Sequence, residues 1–195
     1  MLIFSAINDR DSIQKSGVEA IVRKLCVSYS HIRRSFQKNE ESINSALDKG
    51  DVTRAVQLLA QTYRLPGKFV RRVGYSAKIN SPAALQSQLS ITHGQVLECD
   101  IFFQDSKAGL LNIPRYRLLH MTAHELSHAR MQKDAHPLHV SEFATDVLAL
   151  LVTGYSKGYV DTMVSDYIHY GYIRSELLNE LFRCLGLYAD RVYIR

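Results

Sequence analysis

Tryptophan is absent, and cysteine and proline are scarce: 0 Trp, 3 Cys and 4 Pro in 195 residues. Three cysteines, Cys26, Cys99 and Cys184, make no disulfide framework, and without a CxxC pair there is no thiolate zinc ribbon. Long apolar runs are missing too. None approaches the ~20 residues that cross a bilayer. The opening Met1-Leu-Ile-Phe-Ser has neither the basic start nor the long apolar stretch of a secretory signal. These absences leave a reducing, cytoplasmic setting as the expectation. Repeats and low-complexity segments are also lacking. With 46% apolar and 22% charged residues, wholesale disorder is excluded, and the length suits one domain with a core of its own.

Negative charge is thin at one end. Residues 1–80 hold 14 Lys and Arg against 7 Asp and Glu, an excess of +7, whereas residues 81–195 hold 10 against 12, or −2. A solvated helical surface accounts for such an excess, and so does a surface for phosphates or an acidic partner. Arg33, Arg34, Arg71 and Arg72 are the candidates for nucleic-acid contact, single-stranded DNA included. No nucleic-acid motif of specific spacing accompanies them.

The periodicities predict an α+β chain. Val18, Ile21, Val22, Leu25 and Cys26 form one apolar stripe of a helix over about 15–36, and the polar stretch Gln37–Ser42 either extends or interrupts it. Asp51 is an N-cap for a second helix, with Val52, Ala55, Val56, Leu59 and Ala60 on one face; Leu65-Pro66-Gly67 stops it. Phe69–Ile79 reads as a strand, followed by a polar loop around Ser81-Pro82. Gln95–Phe103 alternates as a strand should. After a loop to Pro114 come a long helix from Arg115 to about Lys133, a helix over about Ser141–Val152 ending at Gly154, and two helices over about 158–170 and 174–188. The expected architecture is a helical N-terminal segment (1–50) and a domain over 51–195, forming one compact unit. That domain has a small antiparallel-type sheet, a metal-binding helix pair and C-terminal helices.

The chemistry is concentrated on that helix pair. His120-Met-Thr-Ala-His124-Glu125-Leu-Ser-His128 contains HExxH. His124 and His128 are four residues apart, so both imidazoles lie on one helical face and can hold one zinc ion at about 2.0–2.1 Å. Glu125, beside the first ligand, can reach a water on the metal and act as general base. A helix with two surface histidines and an accidental glutamate has the same letters.

Zinc needs a third protein ligand. Glu142 and Asp146 are again four apart at the start of the next helix. Glu142 is the favoured ligand, with Asp146 accepting the free N–H of a ligand histidine. A solvated acidic first turn is the plainer account. Asp134 lies six residues after His128, where a metzincin has its third ligand, but Met131 replaces the glycine of that arrangement. His136 and His139, in the connecting loop, remain candidates. His120, one turn before His124, reads as packing or as support for a ligand.

HExxH followed by ExxxD resembles the gluzincin metallopeptidases. With a helix at 51–64 and strands before Arg117-Leu-Leu-His-Met-Thr-Ala-His-Glu-Leu-Ser-His, the chain is similar over about 51–155 to the ImmA/IrrE family. Ser127 stands where members often have glycine, and the gap from His128 to Glu142 is shorter than many have. The resemblance implies a zinc endopeptidase for regulatory proteolysis, which cuts a partner protein such as a helix-turn-helix repressor. One branch, the CapP-like proteases of CBASS anti-phage systems, implies antiviral defence, activation by single-stranded DNA and a cysteine that silences the zinc. By that comparison Cys99 is a possible inhibitory fourth ligand, on an edge strand bordering the cleft. A small buried cysteine on the apolar side of its strand is the ordinary alternative. Cys26 and Cys184 fall on apolar helix faces. Tyr155, Tyr159, Tyr167, His169, Tyr170 and Tyr172 are candidate donors to a transition state. Two rival functions stand beside the protease: a DNA-sensing or repressor-binding module with structural zinc, and a secreted effector or toxin protease.

Overall fold

The computed structural model describes residues 2–66, 69–78, 83–89, 96–154 and 183–184. The candidate donors from Tyr155 to Tyr172 lie outside these. So do the helices expected over 158–170 and 174–188, apart from Arg183 and Cys184. Among the described residues, no helix is long and apolar enough to cross a membrane.

The first helix, α1, spans Leu2–Asp48 and is broken at Gly17, whose φ of 66° and ψ of 155° suit glycine rather than any residue with a Cβ. Beyond the break the helix runs straight through Gln37–Ser42. The polar side chains there leave the buried face intact, because Ile32, Phe36, Ile43 and Leu47 continue it at helical spacing. Helix α2 spans Val52–Thr62, and the Asp51 carboxylate caps it by accepting the Arg54 N–H at 2.9 Å.

Three strands follow: β1 (Val70–Tyr75), β2 (Ala83–Leu89) and β3 (Val96–Phe103). Their order in the sheet is β1-β3-β2. The sheet is therefore not of the antiparallel type expected. β3 pairs parallel with β1 and antiparallel with β2. The pattern assigns no strand to residues 83–89, so β2 is unexpected, and it is β2 that pairs antiparallel with β3. Residues 76–95 separate β1 from β3 in sequence, more than the dozen or so residues a parallel return requires. Cys99, Ile101 and Phe103 turn one buried face of β3 to the core.

The other face carries Arg71, on β1. It binds Asp100 through both Nε (3.0 Å) and Nη2 (2.6 Å), and Glu98 at 3.1 Å. This bidentate contact ties the parallel strands side chain to side chain.

A short helix, α3 (Lys107–Asn112), occupies the expected loop, capped by Ser106. Helix α4 spans Arg115–Lys133, and α5 spans Glu142–Thr153 with Ser141 as its cap. α4 packs against α5, β2, β3 and α2, while α1 packs against α2 and α5. Every residue of α5 from Phe143 to Thr153 is buried. The buried side chains of α1 belong to the same core cluster as those of α4 and α5. The buried face of α1 from Val18 to Leu47 thus supplies one wall of the core that positions α5.

Two outcomes follow for stability. Ile32 on α1 is fully buried, so Ile32→Ala should destabilise the whole chain by about 2–5 kcal/mol in urea unfolding. A change under ~0.5 kcal/mol would mean that α1 is not part of the core. The second outcome depends on pH. The Arg71 hydrogen bonds hold the Asp100 carboxyl below its ordinary range, against the opposing effect of its burial. A depressed folded value stabilises above the unfolded pKa of about 3.9 and is lost as pH falls through the folded value. Asp100→Asn should therefore lower the melting temperature at about pH 7, and the deficit should shrink as pH is taken down through the depressed folded value. A deficit independent of pH would assign the effect to packing instead.

Candidate metal centre

Helical spacing sets the site. On α4, His120, His124 and His128 recur every four residues and share one face. On α5, Glu142 and Asp146 do the same. Packing of the two helices brings these faces together. The ligand atoms of His124, His128 and Glu142 all lie within 4.8 Å of one another. Glu142 Oε2 is 3.1 Å from His124 Nε2 and 3.3 Å from His128 Nε2. Two ligand atoms at about 2.0–2.1 Å from a common tetrahedral ion stand roughly 3.4 Å apart, so the observed spacing is close to that of a ligand shell.

The outer nitrogens of both rings are already committed. Asp146 Oδ1 lies 2.6 Å from His124 Nδ1. A carboxylate only accepts, so Nδ1 carries a proton, and Nε2, which faces Glu142, is the nitrogen left to bind an ion in exchange for its own proton. His128 Nδ1 donates to the carbonyl of His139 at 3.0 Å, with the Thr145 hydroxyl 3.3 Å away, and its Nε2 is likewise turned inward. The fit is that of a divalent metal site: two oriented imidazoles, one carboxylate, and two further carboxylates nearby. The structure thus carries side-chain groups able to bind a metal.

Electrostatics agrees with that chemistry. Burial disfavours charge on His124, but Asp146, then Glu142 and Glu125, outweigh it and hold its pKa well above the ordinary value. Burial would raise Glu142, yet the hydrogen bonds from His124 and His128 bring it down to about 2. Asp146 is held well below the carboxylate range by His124 and His120, again against burial. The carboxylates remain ionised and demand positive charge at this point. The site is also reachable: the side chains of His128 and Glu142 are 23% and 38% exposed.

The other candidates fall elsewhere. Glu125 belongs to neither metal-type cluster. Its carboxylate is near enough to act on both His124 and Cys99. Asp134 caps the end of α4 and pairs with Arg130 at 2.9 Å. His136 is buried against Tyr29 with its Nδ1 accepting the Leu138 N–H. The His139 ring bonds to the His136 carbonyl. Neither loop histidine joins the cluster. No residue type signals the His139 carbonyl, since every residue carries a backbone oxygen. Ser127, in place of glycine, donates to the Ala123 carbonyl and receives a hydrogen bond from the buried Tyr63 hydroxyl at 3.0 Å. Helix α4 is fastened to the end of α2 at that point.

Comparisons with protein-family models, with curated proteins and with solved structures return no match.

Cys99 is 1% exposed and joins neither cluster. It lies on β3, which is the central strand and not an edge. Burial, with Asp100, Glu125 and Glu98 nearby, pushes its thiol up to about 12. Arg71 is engaged by Asp100 and Glu98, and Arg72 stands over the Phe102 ring at 5.8 Å. Arg33 and Arg34 lie far along the sequence from that pair, on α1.

Zinc-edge X-ray absorption on the reduced, zinc-loaded protein should show a shell of nitrogen and oxygen at about 2.0–2.2 Å. A scatterer near 2.3 Å would indicate sulfur and bring Cys99 into the shell.

Proposed function

We propose that this chain is a zinc-dependent endopeptidase of the gluzincin arrangement, acting like the ImmA/IrrE family on one partner protein, a transcriptional repressor being the substrate that family suggests. The supporting observation is the inward convergence of His124 Nε2, His128 Nε2 and Glu142 Oε2, with both outer nitrogens held. Glu125 adjoins this point without taking part in it. A purely structural zinc site has no use for that carboxylate, and structural sites close with four protein ligands where this cluster has three among the described residues.

His124, His128 and Glu142 would hold the zinc, which would supply Lewis acidity toward a peptide carbonyl and a water. The chain's own groups do the rest. Glu125 takes the proton from the attacking water and hands it to the departing amine. Asp146 keeps the His124 ring in the tautomer that offers Nε2 and stabilises positive charge on it. The His139 carbonyl does the same for His128. The partial exposure of Glu142 and His128 leaves a route for a peptide segment.

Regulation by Cys99 or by single-stranded DNA has less support. The thiol is buried with a raised pKa, and Arg71 already has two carboxylate partners.

Profiling of new N-termini in a lysate of the source cell, treated with the zinc-loaded chain, tests the proposal. The wild type should generate discrete new termini. Glu125→Gln should retain one zinc per chain and lose cleavage by at least ~100-fold, the scale of a lost general base. Identical termini from Glu125→Gln, or a wild type that takes up no zinc, would overturn it.

A further inference from the structure

His120 has no place in the ligand set, yet it is buried and 4% exposed at its side chain. Its Nε2 lies 3.0 Å from Asp146 Oδ1. The same oxygen is 2.6 Å from His124 Nδ1. His120, His124 and Asp146 could be taken for a second metal cluster, since their ligand atoms lie within 4.8 Å of one another. The distances argue otherwise. Atoms bound to a common ion stand roughly 3.4 Å apart, whereas 2.6 Å between nitrogen and oxygen is a direct charge-assisted hydrogen bond. His124 would also have to give up its outer proton to serve two ions.

We infer that His120 is a positioning residue for the metal centre: it donates Nε2–H to Asp146 Oδ1 and so fixes the carboxylate that orients His124. The inference rests on the zinc site proposed above. Its geometry is that of a relay along one face of α4. His120 and His124 sit one turn apart and reach one oxygen from α5 from two directions. With one donor removed, Asp146 is free to rotate and to draw on other partners, and the His124 ring loses a fixed support. Groups outside the ligand set typically change metal affinity by 10–100-fold when replaced. His120 acts one bond further out, so the lower end applies.

The experiment is zinc affinity of the full chain by competition with a chromophoric chelator, with cobalt(II) absorption as a report on site geometry. His120→Leu should weaken zinc about tenfold and alter the cobalt bands. His120→Gln, whose amide N–H can reach where Nε2 does, should recover most of the affinity. In an Asp146→Asn background, His120→Leu should cost nothing further, because the group it acts through is already changed. A merely structural role would lower the melting temperature of both His120 variants while leaving zinc affinity equal among them. Equal affinity for wild type and His120→Leu, or full additivity with Asp146→Asn, would overturn the inference. If His120→Leu does not fold, His120→Gln decides. Affinity within threefold of wild type supports the donor role, and a tenfold loss overturns it. Failure of the wild type to bind zinc would instead sink the metal site itself, which separates the two ideas.

Discussion

A single buried carboxylate constrains the arrangement of the two central helices. Asp146 sits between α4 and α5, where burying an ion without partners costs several kcal/mol. It is offset by two imidazole N–H donors, from His120 and His124, both on α4. That requirement fixes the register of α5. A shift of one residue would turn the carboxylate about 100° away from α4 and leave it unpaired in an apolar core. With Asp146 held, Glu142 one turn earlier must face His124 and His128. The convergence of His124, His128 and Glu142 is therefore a consequence of the pairing that orients His124.

The surrounding fold keeps that register from slipping. α5 is apolar nearly all round, so it needs cover on every side. α4 covers one side and α1 another. Ser141 starts α5 by accepting the Ala144 N–H, which places Glu142 in its first turn, where negative charge is also favoured by the helix dipole. α4 is anchored at its middle by the Tyr63–Ser127 hydrogen bond and at its end by Arg130, which reaches the carbonyls of Tyr63 and Arg64. These ties join α4 to the end of α2, independently of the sheet. Preorganisation of this kind limits the ligand geometry to one arrangement before any ion arrives.

What could be read from the sequence follows the range of the interactions. His124, His128, Glu142 and Asp146 were legible because their chemistry depends on spacings of four within a helix, which is local information. The limits of α4 and α5 were legible through Pro114, Ser141 and Gly154 for the same reason. β2 was not. Its sequence, Ala-Ala-Leu-Gln-Ser-Gln-Leu, has little strand propensity, and pairing with β3 makes the strand. The parallel sense of β1 and β3 was equally hidden, since strand order is settled by contacts distant in sequence. His120 lay in view at the right spacing, but its role depends on which helix comes to face it. The partner of His128 is a backbone carbonyl, which no residue identity announces.

The place of β3 in the sheet bears on how such a site could be controlled. A thiolate switch at Cys99 asks a central strand, hydrogen-bonded on both sides, to bring its core-facing side chain to the ligand cluster. That motion would break pairing with β1 and β2 together and open the core around Ile101 and Phe103, both fully buried. It also requires ionising a thiol whose surroundings, apolar burial and three nearby carboxylates, favour the neutral form at physiological pH. The exposed side of the centre is cheaper to control. Glu142 and His128 face solvent, and the loop carrying His139 holds the outer nitrogen of His128 through a main-chain carbonyl. A shift of that loop would move the group that holds the His128 ring without disturbing the sheet. Movement of the 136–141 loop therefore requires far less rearrangement than a motion of β3 that would carry Cys99 to the cluster.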